Sequence, residues 1–227
     1  MDWWVHNLWN SEPALLVSWV VWVIGSIVLH ELAHGWAAIR FGDRTPIETG
    51  HMTWNPLVHM GGFSLIVFAV VGIAWGAMPV NPSRMRGRHA EALVALAGPA
   101  MNLALAAFAL TLGLLWVGVA GGVWIPSVQA GEPLFTNMQI FFRAGVFLNV
   151  LLMVFNLMPI PPLDGSRILA YYSPGYRRFF FESENGQWVG LGLFVLLFFF
   201  GFDLIIGHVM SWTFGVWDTI AGVLGLV

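Results

Sequence analysis

Apolar runs long enough to cross a bilayer recur along this 227-residue chain, and they restrict its fold more than any other feature. A span needs about 20 largely apolar residues. In hydrocarbon every backbone N–H and C=O must find a protein partner, so helices are the default. Runs at about 13–41 and 90–118 meet that length, the second most strongly. Runs at about 139–160, 188–206 and, more weakly, 209–227 follow. The run 63–78 is shorter and is broken by Gly72 and Gly76. The first run has no signal-peptide pattern: Asp2 and Glu12 precede it, with neither a basic flank nor a small-residue cleavage site.

Composition agrees. Apolar types make up 58% of the chain, charged types only 9%, and mean hydropathy is +0.77. Ordinary soluble domains carry about 25% charged residues. The nine basic residues are all arginines, against twelve acids. No basic face is available for a phosphate backbone, which argues against a nucleic-acid partner. With no cysteine, a disulfide framework and thiolate metal sites are excluded. An integral membrane protein of one domain, 1–227, with membrane lipid around it, is what remains.

The arginines set an orientation, because short arginine-rich loops stay cytoplasmic. They place 40–56, 80–90 and 161–187 inside, and leave 119–137 outside, with Arg143 as an exception. Both loops flanking 63–78 are then on one side, so that run is expected to be re-entrant. The stretch 44–56 holds Thr45, Pro46, Thr49, Gly50 and Thr53. It is too punctuated for a long helix, and short membrane-edge β-strands are expected there.

Within the first run stand His30, Glu31 and His34. Ionisable groups in a membrane helix are costly and usually functional. A four-residue spacing puts both imidazoles on one helix face, and Glu31 is adjacent. This is the HExxH pattern, in which the histidines hold zinc and the glutamate is the proton acceptor for water rather than a ligand. A catalytic zinc takes three protein ligands. Candidates for the third are Glu91, Asp164, Asp203, Asp218, His51, His59, His89 and His208. Asp164 is the best of them. Pro159, Pro161 and Pro162 end the helix before it and stiffen its approach, and Gly165 permits close packing after it. The histidines lie roughly 10 to 16 Å inside the cytoplasmic end of their helix at 1.5 Å per residue. The fourth long run brings Asn156 and Asp164 to that same side.

These residues resemble the signatures of the site-2 protease family of intramembrane zinc metalloproteases. His30-Glu31-Leu32-Ala33-His34 matches its HExxH, and the stretch from Asn156 through Asp164-Gly165 matches its second signature. Ala97-Gly98-Pro99-Ala100-Met101-Asn102 resembles a further family segment. The likeness is closest to the short microbial branch without PDZ or C-terminal regulatory domains. One departure stands after His59: related short members continue with Asp-Pro near Met60-Gly61.

The resemblance implies an all-α polytopic protein of about five or six membrane segments around a three-helix core (13–41, 90–118, 139–160). It implies one zinc ion on His30, His34 and Asp164, with Glu31 catalytic and Asn156 holding the oxyanion or substrate backbone. Roles for His51, His59 and Asn102 stay open. The expected substrate is the transmembrane segment of another protein, cleaved from the cytoplasmic side of a prokaryotic inner (plasma) membrane. Oligomeric state is not legible. The alternative is a zinc or proton transporter using the same ligands, but transporters are usually built from repeats, and none is visible.

The arginine distribution generates a topological prediction. Single cysteines at Ser83 and Ser127 in this cysteine-free chain should differ toward an impermeant thiol reagent added from outside, with 127 labelled and 83 protected. The reverse pattern would force 63–78 to cross.

Overall fold

The computed structural model describes residues 4–226. A short α1 (Trp4–Ser11) precedes α2 (Pro13–Arg40). One helical turn, α3 (Thr45–Glu48), leads to α4 (Pro56–Val71). The long α5 (Ala90–Ala120) and α6 (Glu132–Asn156) follow. Then come α7 (Asp164–Tyr172), the short α8 (Pro174–Arg177), α9 (Gly186–Leu196) and α10 (Phe202–Val223). Prolines open α2, α4 and α6 at their first or second position, where a missing N–H costs nothing.

Helices α2, α5 and α6 pack on one another. Asn102 of α5 meets Asn149 of α6, and His34 near the end of α2 meets Val94 near the start of α5. Helix α5 therefore runs antiparallel to the other two. Helices in lipid gain little from hydrophobicity and associate where small residues let backbones approach. Gly145 of α6 is such a place: a methyl there would collide with the Trp22 indole of α2, whose Nε1–H donates to Phe141 O at 2.8 Å.

Two expectations are corrected. No β-strand occurs among the described residues, and the 44–56 stretch holds α3 followed by turns. The Asp-x-Thr-Pro pattern there is a helix start: Asp43 Oδ1 accepts from Thr45 N–H at 3.0 Å, and Pro46 sits in the first turn. Among the described residues this stretch forms no β-bridge; the isolated bridge Gly121 to Gln129 belongs to the loop after α5. Second, 188–206 and 209–227 are not two segments. Gly186–Val223 is one 38-residue apolar helix, interrupted only by a π-turn at Leu197–Gly201. His208, between the two runs, lies within α10, and its Nδ1–H donates to Leu204 O at 2.8 Å. Among the described residues four helices, not five or six, are therefore long and apolar enough to span.

The 63–78 run forms one side and the tip of a hairpin. Helix α4 kinks at Gly61 (φ 67°, ψ 164°) and ends at Gly72 in the left-handed region. The chain then returns extended. Trp75 exchanges bonds with the Ser64 hydroxyl at 2.8 and 2.9 Å, and Ala77 N–H donates to His59 O at 2.9 Å. Trp19 and Trp4 donate to Gly72 O and Ala69 O at the tip, both at 3.2 Å. The returning strap, 73–81, lies along α2.

All arginines except Arg143 gather at the end of the bundle where α2 and α6 finish and α5 begins. Arg143 has its own compensation within the helices: it pairs with Asp218 of α10 at 2.9 Å and lies over the Trp217 ring at 5.1 Å.

The strap is fastened to the end of α2 by Asp43, a fully buried residue. Its Oδ2 accepts from Asn81 N–H at 2.6 Å, and its Oδ1 from the Thr45 hydroxyl at 2.5 Å. Burial alone raises the carboxyl pKa, but these hydrogen bonds outweigh it and hold the group below the ordinary carboxylate range. A depressed folded pKa contributes stability that is complete above the unfolded value, near 3.9, and is lost as pH falls through the folded one. Asp43→Asn should therefore lower stability in detergent at pH 7 by about 1–3 kcal/mol. The gap in melting temperature from wild type should shrink below about pH 4. A gap that is absent at pH 7, or that widens in acid, contradicts this role.

Candidate metal centre and active site

Helix α2 presents His30, Glu31 and His34, all buried, toward α5 and α7. Both imidazoles are anchored at their inner nitrogen. His34 Nδ1–H donates to Val94 O at 2.7 Å. His30 Nδ1–H donates to Asn102 Oδ1 at 2.6 Å. With Nδ1 carrying the proton, each Nε2 keeps its lone pair. The two Nε2 atoms stand 3.0 Å apart, and Asp164 Oδ2 lies 3.2 Å from each. Asp164 opens α7 after the proline-rich turn. Gly165 behind it packs so closely on Leu157 O that a side chain would not fit.

Three buried acceptor atoms converge on one point. Without a cation among them their lone pairs oppose one another in a medium of low dielectric. Zinc–ligand bonds of 2.0–2.1 Å in a tetrahedral site put ligand atoms about 3.3–3.4 Å apart. The distances here are close to that, so the donor set fits a metal of this size. His30, His34 and Asp164 are the group of side chains able to hold a metal among the described residues. The backbone of α5 closes the site from behind. A Cβ on Gly98 would lie 2.5 Å from His30 Nε2 and closer still to His34 Nε2.

Glu31 lies outside that cluster, under the strap. A Cβ on Gly76 would fall 2.8 Å from Glu31 Oε1, so only glycine lets the strap lie so close to this carboxylate. The ligands and Glu31 line a cavity of about 280 Å³. Ala77 and Met78 of the strap form one wall, and Arg167 and Asn156 also line it. Asn156 donates its Nδ2–H to Leu152 O of its own helix at 3.0 Å. Its amide is at the cavity but bonded back to α6.

The other candidates do not join the cluster: Glu91 lines the cavity beside it, and Asp203 is exposed on α10. Glu91 pairs with Arg177 at 2.6 Å, Asp218 with Arg143, and His89 with the Tyr171 hydroxyl. His59 is buried and its Nε2–H donates to Thr53 O at 2.7 Å; His51 bonds to Thr49. His51 lies in the turn before α4, and His59 in the first turns of that helix. Reading the sequence overlooked Asn149, which bonds Asn102, and took Gly76 only as a break in the 63–78 run, not as the point where the strap meets Glu31. An amide inside an apolar helix carries a desolvation cost, and that cost is the available signal for Asn149.

Comparison with known proteins places this geometry in a family. Residues 18–200 match the model of peptidase family M50. The chain is 35% identical over 202 residues to "Putative zinc metalloprotease YwhC" of Bacillus subtilis (strain 168), covering 87% of this chain and 85% of that protein. It is 31% identical to "Putative zinc metalloprotease Rip2" of Mycolicibacterium smegmatis, covering 81% of this chain and 66% of that one. With "Putative zinc metalloprotease MJ0611" of Methanocaldococcus jannaschii identity is 29%, over 71% of this chain and 74% of the relative. No solved structure gives a significant match. Family, relatives and the His/His/Asp cluster agree with the site-2 protease resemblance: the chain belongs to peptidase family M50 and is an intramembrane metalloprotease.

Proposed function

We propose that the metal is zinc, one ion per chain on His30, His34 and Asp164. The chain would use it to hydrolyse peptide bonds in or next to transmembrane segments of other membrane proteins. The observation that carries this reading is the convergence of three buried lone pairs beside a carboxylate that is not one of them. Two imidazoles and one carboxylate are a known catalytic zinc set, and they leave a coordination position open. Zinc bound there supplies Lewis acidity, activating water near neutral pH and polarising the substrate carbonyl.

Glu31 holds the proton taken from water and returns it to the leaving nitrogen. The strap across Glu31 limits bulk water around it. Asn156, freed from Leu152 O, has an N–H to offer a developing oxyanion or the substrate backbone. A substrate helix keeps its carbonyls bonded within itself, so its segment must unwind before a peptide bond can enter a cavity of about 280 Å³. The arginines around the mouth support a cytoplasmic-facing site in a prokaryotic inner membrane.

Two variants of detergent-purified protein test the roles. Glu31→Gln should keep about one zinc per chain and lose about 10²–10⁴ in cleavage rate of a model transmembrane substrate. Asp164→Asn should lose both zinc and cleavage. Retention of wild-type zinc by Asp164→Asn, with loss from Glu31→Gln, would overturn the assignment.

A further inference from the structure

We propose that Asn102 and Asn149 form a polarity relay that dictates which nitrogen of His30 faces the metal, making both of them positioning residues. The inference rests on the zinc reading above. The relay draws one member from each packed helix: His30 from α2, Asn102 from α5 and Asn149 from α6. Both asparagines are fully buried, with relative exposures of 0%.

Its direction is set at the far end. Asn149 Nδ2–H donates to Gly145 O at 2.9 Å, and a carbonyl oxygen can only accept. The Asn149 amide therefore has one orientation, which turns its Oδ1 toward Asn102. Asn102 must meet that oxygen with its N–H₂, at 3.1 Å, and so turns its own Oδ1 toward His30. His30 then has to carry its proton on Nδ1, bonded at 2.6 Å, and Nε2 is left with a lone pair facing His34 and Asp164. Flipping Asn102 would set N–H₂ against the imidazole and oxygen against oxygen at Asn149. Flipping both would set Asn149 Oδ1 against Gly145 O. A backbone carbonyl of α6 thus selects the tautomer of a side chain on α2 through two amides. His34 needs no such relay, because Val94 O contacts its Nδ1 directly at 2.7 Å.

The relay makes a claim that simple helix packing does not. Leucine at 149 leaves Asn102 free to turn its N–H₂ toward His30. Aspartate at 102 has an acceptor oxygen at either end and cannot be turned the wrong way. Asn149→Leu should therefore weaken zinc, and adding Asn102→Asp should restore it. The readout is zinc affinity of the purified full chain in competition with a chelating dye, alongside the melting temperature of the metal-free protein. Loss of an outer-shell partner weakens metal binding by about 10–100-fold. Asn102→Leu should fall in that range, with a smaller loss for Asn149→Leu. The Asn102→Asp/Asn149→Leu double variant should bind zinc as wild type does.

Wild-type affinity in Asn149→Leu, or a double variant as weak as Asn149→Leu alone, overturns the relay. If Asn149→Leu does not fold, Asn149→Ala against the Asn102→Asp/Asn149→Ala double variant decides: loss in the first with recovery in the second supports it, and equal losses overturn it. Failure of the wild-type protein itself to bind zinc would instead sink the functional reading.

Discussion

Placing unshared electron pairs inside a membrane protein is the constraint from which this structure follows. His30 Nε2, His34 Nε2 and Asp164 Oδ2 lie within 3.2 Å of one another, buried between apolar helices. In water such a cluster would be screened by hydration; here each group has given up its solvent. A bound cation turns mutual repulsion into a bonding arrangement. The rest of the centre then reads as scaffolding for that arrangement. Val94 O and Asn102 aim the imidazoles, Gly98 leaves room behind them, and the prolines before Asp164 carry the carboxylate to the other helices.

A second requirement pulls the other way. Hydrolysis needs water and an unwound peptide at a depth where both are scarce. The hairpin of α4 and its strap reconciles the two demands. It lays backbone over Glu31 at Gly76, and Asp43 ties its far end to the end of α2. The extended stretch 73–77 is held because the Ser64 hydroxyl bonds both the N–H and the C=O of Trp75 and His59 O accepts from Ala77 N–H.

Sequence spacing reveals those parts of the centre that depend on local geometry. His30 and His34 share a face because helices repeat every 3.6 residues, and Asp164 is marked by the prolines around it. What escapes is whatever depends on a distant partner. The Arg143 exception makes sense only beside Asp218, 75 positions away. Asn149 gains its meaning from Asn102, 47 positions away. At 44–56 the same residues that suit a turn before a strand also suit a helix start, and only the helical bonds that Thr45–Glu48 make in the folded chain decide between them. The runs 188–206 and 209–227 read as two segments, whereas the chain between them is helical and its His208 bonds back to Leu204 O.

X-ray absorption at the zinc edge of the purified, metal-loaded protein tests the central claim most directly. The account predicts a first shell of nitrogen and oxygen scatterers at about 2.0–2.1 Å, with the outer-ring signature of two imidazoles. Loss of the imidazole signature, or a shell of six oxygens typical of a surface-bound ion, would contradict it.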